Sequence, residues 1–207
     1  MYQHSILKTL CKEEDLILRE LARDFVNQEI MPVRQQIDDD EHHEIVTHVL
    51  QGLANLGFIK AIFPEKYGGS DIRSAVTMGL PLEEVARGDS GIAVALACTL
   101  WPFIPAVWWA HNQAVLDQFG PIFCGDELKI GCFNMTEPGG SSGGGGCDIE
   151  NPGMQGRKIR TIAKPDGNDW VLNGQKIWAS NSGIADAYLM VCTTDPKLGD
   201  EGIALIY

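Results

Sequence analysis

The chain has no C-x-x-C pair, no excess of basic residues and, from residue 91 to residue 110, no charge at all. Each absence narrows the reading. With 16 Lys and Arg against 28 Asp and Glu, the formal net charge is -12 at pH 7. That argues against a nucleic-acid surface, because phosphate binding needs clustered cations. The cysteines (Cys11, Cys98, Cys124, Cys132, Cys147 and Cys192) are scattered, which fits neither a zinc knuckle nor a disulfide framework. They point instead to free thiols in a reducing, cytoplasmic compartment. The first fifteen residues lack a basic region followed by a long apolar stretch, so no signal peptide is expected. The uncharged stretch 91–110 is about as long as a membrane span. Pro102 and Pro105 break it near the middle, which favours two buried helices joined over residues 101–105 and no membrane span.

Two motif matches lack what their chemistry needs. Gly139-Gly140-Ser141-Ser142-Gly143 has the G-x-S-x-G form of a serine nucleophile elbow, yet glycines follow it and the last histidine, His111, lies upstream. His43 and His48 bracket a near-match to H-E-x-x-H with one residue too many. At about 100° per residue, five steps turn the imidazoles roughly 140° apart, too far to share a metal. No metal site is expected.

What is present divides in two. Leu18, Leu21, Ala22, Phe25 and Ile30 recur at helical spacing over residues 14–30, and Pro32 closes that segment. A second helix is expected from His43, with Ile45, Val46, Val49, Leu50, Leu53 and Leu56 apolar and Gly57 as its stop. Residues 63–71 read as a loop, and further helices are expected over 74–87, 91–100 and 106–119. From Ile130 the segments become short and β-rich. Residues 170–172 and 177–179 flank Asn173-Gly174, a hairpin signal. Residues 165–168 mark another turn, and 188–193 and 203–207 read as strands. The expectation is an α+β chain: an N-terminal all-α helical domain over 1–129, then an antiparallel β-sheet or barrel domain over 130–207. That second domain is expected to be truncated, because an apolar strand ending at Tyr207 leaves an edge awaiting more chain.

The glycine run 139–146 fits neither a Rossmann nor a Walker pattern. On composition alone it reads as a flexible linker. Its position directly after Thr136-Glu137-Pro138 also allows a nest of backbone N–H groups for an anion.

Residues 132–142, Cys-Phe-Asn-Met-Thr-Glu-Pro-Gly-Gly-Ser-Ser, resemble the flavin-binding signature of acyl-CoA dehydrogenases. Residues 172–186, beginning Leu-Asn-Gly-Gln-Lys-Ile-Trp-Ala-Ser-Asn, resemble that family's L-N-G-x-K-x-W-I-T-N-G stretch. Leu56-Gly57-Phe58, residues 64–69 and residues 83–87 are similar to its helical domain. The resemblance covers nearly the whole chain. It implies FAD, with Phe133, Met135 and Thr136 at the isoalloxazine and Gly140, Ser141 and Ser142 near phosphate. Trp178 would pack on the ring with Ala179 beside it, and Ser180 would replace a threonine that bonds near flavin N5. The glycine turn departs from the family pattern, lacking its Asp. Glu137 is implied to be structural.

The implied reaction is α,β-dehydrogenation of an acyl-CoA thioester. A carboxylate removes the α-proton while the β-hydrogen leaves as hydride to the flavin, in a site that stabilises enolate charge and excludes water. In the family the base is a Glu in a C-terminal helical domain. No catalytic residue is therefore assigned within the chain; the base is expected beyond Tyr207, and the 207 residues alone are expected to be inactive. Ser142, Ala97 and Trp101 are implied on the substrate side, beside Ala93, Val94 and Cys98, where bulky Trp101, Phe103 and Trp108 hint at a short or cyclic acyl group. An electron-transfer flavoprotein as acceptor and a homo-oligomer, a homotetramer, of the full-length chain are also implied. Two alternatives stay open: an acyl-CoA oxidase, and a non-catalytic or split half-enzyme module binding flavin or CoA with a partner chain.

Overall fold

The structure, a computed structural model, describes residues 11–138 and 159–207. They form two compact units. One comprises the residues up to Leu100 together with Ile104–Lys129; the other comprises Trp101–Phe103 together with Ile130–Tyr207.

The first unit is helical. Its first described helix, α1 (Glu13–Phe25), runs into a π-helical turn, Val26–Ile30. The buried stripe is Asp15, Arg19, Ala22, Val26 and Ile30, whereas Leu21 is exposed. The face thus differs from the one the apolar residues mark, because two charged side chains bury themselves against partners on another helix. A short helix α2 (Arg34–Ile37) follows. Helix α3 (Glu44–Asn55) starts where both oxygens of Asp40 accept backbone N–H bonds, from Glu44 and Val46. It ends before Gly57, whose φ of 87° suits a residue without Cβ.

The turn after α3 is tightly held. Phe63 is fully buried and stacks on Phe123, with centroids 5.9 Å apart. Gly69 lies so close to the Phe63 carbonyl that a Cβ there would collide with backbone. Helix α4 (Ala75–Gly88) is capped by Ser74, whose hydroxyl accepts from Thr77 N at 3.2 Å. Ser74→Ala is expected to lower the stability of the helical unit by about 1 kcal/mol, seen as a smaller urea midpoint; an unchanged midpoint would show that the cap contributes nothing. Gly88 closes α4 against α1's continuation: a Cβ there would stand 2.7 Å from Val26 Cγ1.

Helix α5 (Ser90–Leu100) is uncharged and buried along much of its surface. The prolines then act as expected, and the chain breaks into a 3₁₀ turn, Trp101–Phe103, and a π turn, Pro105–Trp109. The helix expected over 106–119 instead begins at Gln113. His111 adopts a φ of 46°, and Asn112 caps α6 (Gln113–Phe123) by accepting from Val115 N. Among the described residues, no helix is long and apolar enough to cross a membrane.

The described residues of the second unit form a five-stranded sheet: β1 (Gly131–Asn134), β2 (Ile162–Asp166), β3 (Asp169–Asn173), β4 (Ala187–Thr193) and β5 (Ile203–Ile206). β4 is the shared strand. Its N-terminal part pairs with β1 in parallel, Thr193 pairs with Ile162 of β2 in parallel, and residues 190–193 pair antiparallel with β5. Pairing is therefore mixed, not uniformly antiparallel, and the described strands leave β1 and β3 at opposite ends of an open order rather than closing a barrel. Cys132, Leu189, Val191 and Cys192 are fully buried. Phe103 is buried too, stacked on Tyr207, whose hydroxyl donates to Pro102 O at 2.7 Å.

The hairpin lies elsewhere than Asn173-Gly174. β2 and β3 turn at Gly167 and Asn168, within the second turn signal, and Gly167 takes a φ of 63°. Gly174 serves another purpose: it lets the chain pass against Thr161, with 2.6 Å between an added Cβ and Thr161 Cα. Residues 177–179 are not a strand.

Candidate functional site

The chemistry-bearing residues of the β unit gather at the C-terminal end of β1. Side chains alternate along an extended chain. Accordingly, Cys132 and Asn134 are buried, while Phe133 and Met135, on the opposite face, are half-buried against Ile159 and Val191. Thr136 is half-buried and Glu137 is buried.

Glu137 is the hub. Its Oε1 accepts from Thr161 N at 2.9 Å, from Thr161 Oγ1 at 2.6 Å and from Lys176 Nζ at 2.8 Å; its Oε2 accepts from Arg160 N at 2.7 Å. Both side chains of the Glu137–Lys176 pair are 5% exposed. Burial pushes the Glu137 carboxyl up, but the bonds from Lys176, Thr161 and the two backbone N–H groups outweigh it and hold the carboxyl below the ordinary glutamate range. An ionised carboxylate with these donors is committed to structure.

Lys176 reaches further. Its ammonium also donates to Met135 O at 2.9 Å, and the next residue, Ile177, donates its N–H to Thr136 O at 3.0 Å. Thr136-Glu137-Pro138 and Trp178-Ala179-Ser180 are thereby brought side by side, as a strand end and a held loop rather than as two strands. Trp178 follows directly, 70% exposed and at a φ of 40°. A bulky residue in the left-handed region is a genuine outlier that persists where its surroundings over-determine it. Here they do: Asn181 Nδ2 donates to Gly131 O at 3.0 Å, and Ser182 N donates to Ala179 O at 3.2 Å. Ala179 is half-buried and Ser180 exposed.

Of the other expected site residues, Gly140, Ser141 and Ser142 lie outside the described residues. Ala97 is buried within α5 beside Ala93 and Cys98, and Trp101 is half exposed. Phe103 is consumed by its stack on Tyr207, and Trp108 Nε1 donates to Ile72 O at 3.2 Å. Lys176 was missed as an organising residue. Its signal was the lysine of Gly174-Gln175-Lys176-Ile177-Trp178, two residues before the tryptophan.

A helical unit followed by a small mixed sheet places the chain among α+β proteins whose polar hub sits at a strand end. Residues 12–121 match the family model "Acyl-CoA dehydrogenase, N-terminal domain", and residues 132–207 match "Acyl-CoA dehydrogenase, middle domain". The chain belongs to the acyl-CoA dehydrogenase family. It is 29% identical over 193 residues to the mitochondrial short-chain specific acyl-CoA dehydrogenase of Rattus norvegicus, covering 93% of this chain and 43% of that protein. It is 32% identical over 188 residues to the short-chain specific acyl-CoA dehydrogenase of Megasphaera elsdenii, covering 88% and 45%. The solved butyryl-CoA dehydrogenase of Megasphaera elsdenii superposes with a TM-score of 0.72 at 29% identity, covering 94% of this chain and 48% of that one. The chain thus spans less than half the length of these relatives.

Proposed function

We propose that the chain supplies one wall of an FAD site for α,β-dehydrogenation of an acyl-CoA thioester. The observation that carries this reading is Trp178: a tryptophan held in a strained backbone and left 70% exposed, hydrogen-bonded through its neighbour to the end of β1. An indole kept out of the core by its own backbone fits a flat ring ligand. Phe133, Met135, Thr136, Trp178, Ala179 and Ser180 would hold the ring, and Gly140, Ser141 and Ser142 would approach its phosphates. What such a group supplies when bound is acceptance of hydride from the substrate β-carbon.

The chain's own residues orient and exclude water. Trp178 covers a ring face, and the hydroxyls of Thr136 and Ser180 offer polar contacts near it. Glu137, spent on Lys176, Thr161 and Arg160, is unavailable as the α-proton base. The base is proposed to be a carboxylate outside these 207 residues, so that the chain alone binds without turning over. Ser142, Ala97 and Trp101 are proposed on the substrate side. The short-chain specificity in the names of the two relatives supports a short acyl group. An electron-transfer flavoprotein acceptor, a homo-oligomeric parent and a reducing, cytoplasmic setting complete the reading.

The test is titration of the purified 207-residue chain with FAD, followed by indole fluorescence and visible absorbance. Trp178→Ala is expected to weaken binding by about tenfold, the worth of an aromatic contact with its buried area. Unchanged affinity in that variant would refute the assignment of the ring wall.

A further inference from the structure

The Glu137–Lys176 pair invites a question about its purpose. Both side chains are 5% exposed, and an ion pair this buried is weak grounds for stability, because desolvating two charges offsets much of their attraction. What the pair does provide is geometry. Glu137 ties its own strand end to Arg160 and Thr161, more than twenty positions further along the chain, and to Lys176. Arg160 adds a bond from its guanidinium to Pro138 O at 3.3 Å. Lys176 then fixes the start of the loop that carries Trp178, with one bond to Met135 O and one to Glu137, and Ile177 N bonds Thr136 O between them. At the far end of that loop Asn181 is bonded to Gly131 O. Trp178 is therefore suspended between two anchors on β1, one at each end of the strand.

We propose that Lys176 is a positioning residue: with Glu137 it sets the orientation and rigidity of the Trp178 indole, so that the indole is already in place when a ring ligand arrives. This rests on the reading of the site as a flavin wall for its consequence, but not for its test. A left-handed Trp relaxes once the bonds that hold it are removed. A Met at position 176 would fill the same apolar path without donating to Met135 O or Glu137, and the loop would lose its fixed start while the sheet kept its ladders.

The experiment reads Trp178 directly. Its contribution is the difference in near-ultraviolet circular dichroism, and in acrylamide quenching, between the 207-residue chain and its Trp178→Phe variant. The same difference is then taken in a Lys176→Met background. The expected result is that the Trp178 dichroic band is lost and its quenching rises, while far-ultraviolet dichroism is unchanged and FAD affinity falls by about tenfold. Retention of the band in Lys176→Met would overturn the proposal. Should Lys176→Met fail to fold, Glu137→Gln, which keeps the side-chain shape and removes the charge, is read in the same way. The two readings separate cleanly. Loss of the band in a chain that binds no FAD upholds the positioning role and sinks the cofactor assignment, whereas FAD binding that needs Trp178 but is indifferent to Lys176 does the reverse.

Discussion

Glu84→Ala is expected to destabilise the helical unit by about 3–5 kcal/mol, the cost of removing one partner from a buried charge cluster. Glu84 is 2% exposed and carries three guanidinium groups. Arg19 approaches its Oε1 at 2.9 Å, Arg23 donates to both oxygens at 2.6 and 3.1 Å, and Arg87 donates to Oε2 at 2.9 Å. Deleting the carboxylate leaves Arg19, itself about nine-tenths buried, as an uncompensated charge inside the unit. Since whole domains are stable by only about 5–15 kcal/mol, the urea midpoint of the helical unit should collapse or fall steeply. A midpoint within error of the parent would mean that the arginines, not Glu84, organise the cluster. Arg87→Ala is the graded control: its side chain is 38% exposed, and its loss should cost about 1 kcal/mol or less.

The same cluster sets an acid limit. Burial pushes the Glu84 carboxyl up, but hydrogen bonds from Arg23 and Arg87 and the nearby charges of Arg23 and Arg19 outweigh it, leaving its pKa below the ordinary value. A carboxyl depressed in the folded state gives stability that is present above its unfolded pKa of about 4.3 and is lost as pH falls through the lower folded value. Asp15 acts in the same direction. The hydroxyl of Thr77 donates to it at 2.5 Å and lowers it, burial opposes this, and the Lys12 N–H lowers it further. The stability difference between parent and Glu84→Ala should therefore be constant near neutral pH and narrow in acid, measurable as urea midpoints from pH 7 downward.

How much of this was legible in the sequence follows from which forces act locally. Helix starts could be read where a side chain caps its own chain, as Ser74 does, and where a proline forbids continuation, as Pro102 and Pro105 do. The buried face of α1 could not, because Asp15 and Arg19 are buried for the sake of Thr77 and Glu84, 62 and 65 positions away. Glycine chemistry misled in one place: Asn173-Gly174 has the form of a hairpin turn, but its glycine is there for a close pass against Thr161, which no short-range rule encodes. The site divides the same way. Two family-like segments indicated that Thr136 and Trp178 belong together, whereas the ion pair that joins them, between residues 39 apart, emerges only when the strand end and the loop meet.

Gly174→Ala should be a strongly damaging single methyl in the β unit. An added Cβ would stand 2.5 Å from Thr161 Oγ1, 2.6 Å from its Cα and 2.8 Å from its Cβ. One of those atoms is backbone, so no rotamer change relieves the clash, and either residue 174 or the start of β2 must move. Overpacking against backbone costs about 3 kcal/mol. The displacement would fall on Thr161, which gives Glu137 two of its bonds, and from there would pass to Lys176 and the loop of Trp178. Two other glycines calibrate the result. Gly167 has open space but a φ of 63°, so Gly167→Ala meets backbone strain alone, about 1 kcal/mol. Gly183 has open space and no positive φ, so Gly183→Ala should change stability by less than about 0.5 kcal/mol. Urea unfolding of the three variants should rank position 174 as most costly, then 167, then 183. If Gly174→Ala is as harmless as Gly183→Ala, the close pass at Thr161 does not exist in solution, and the polar hub built on Thr161 loses its footing with it.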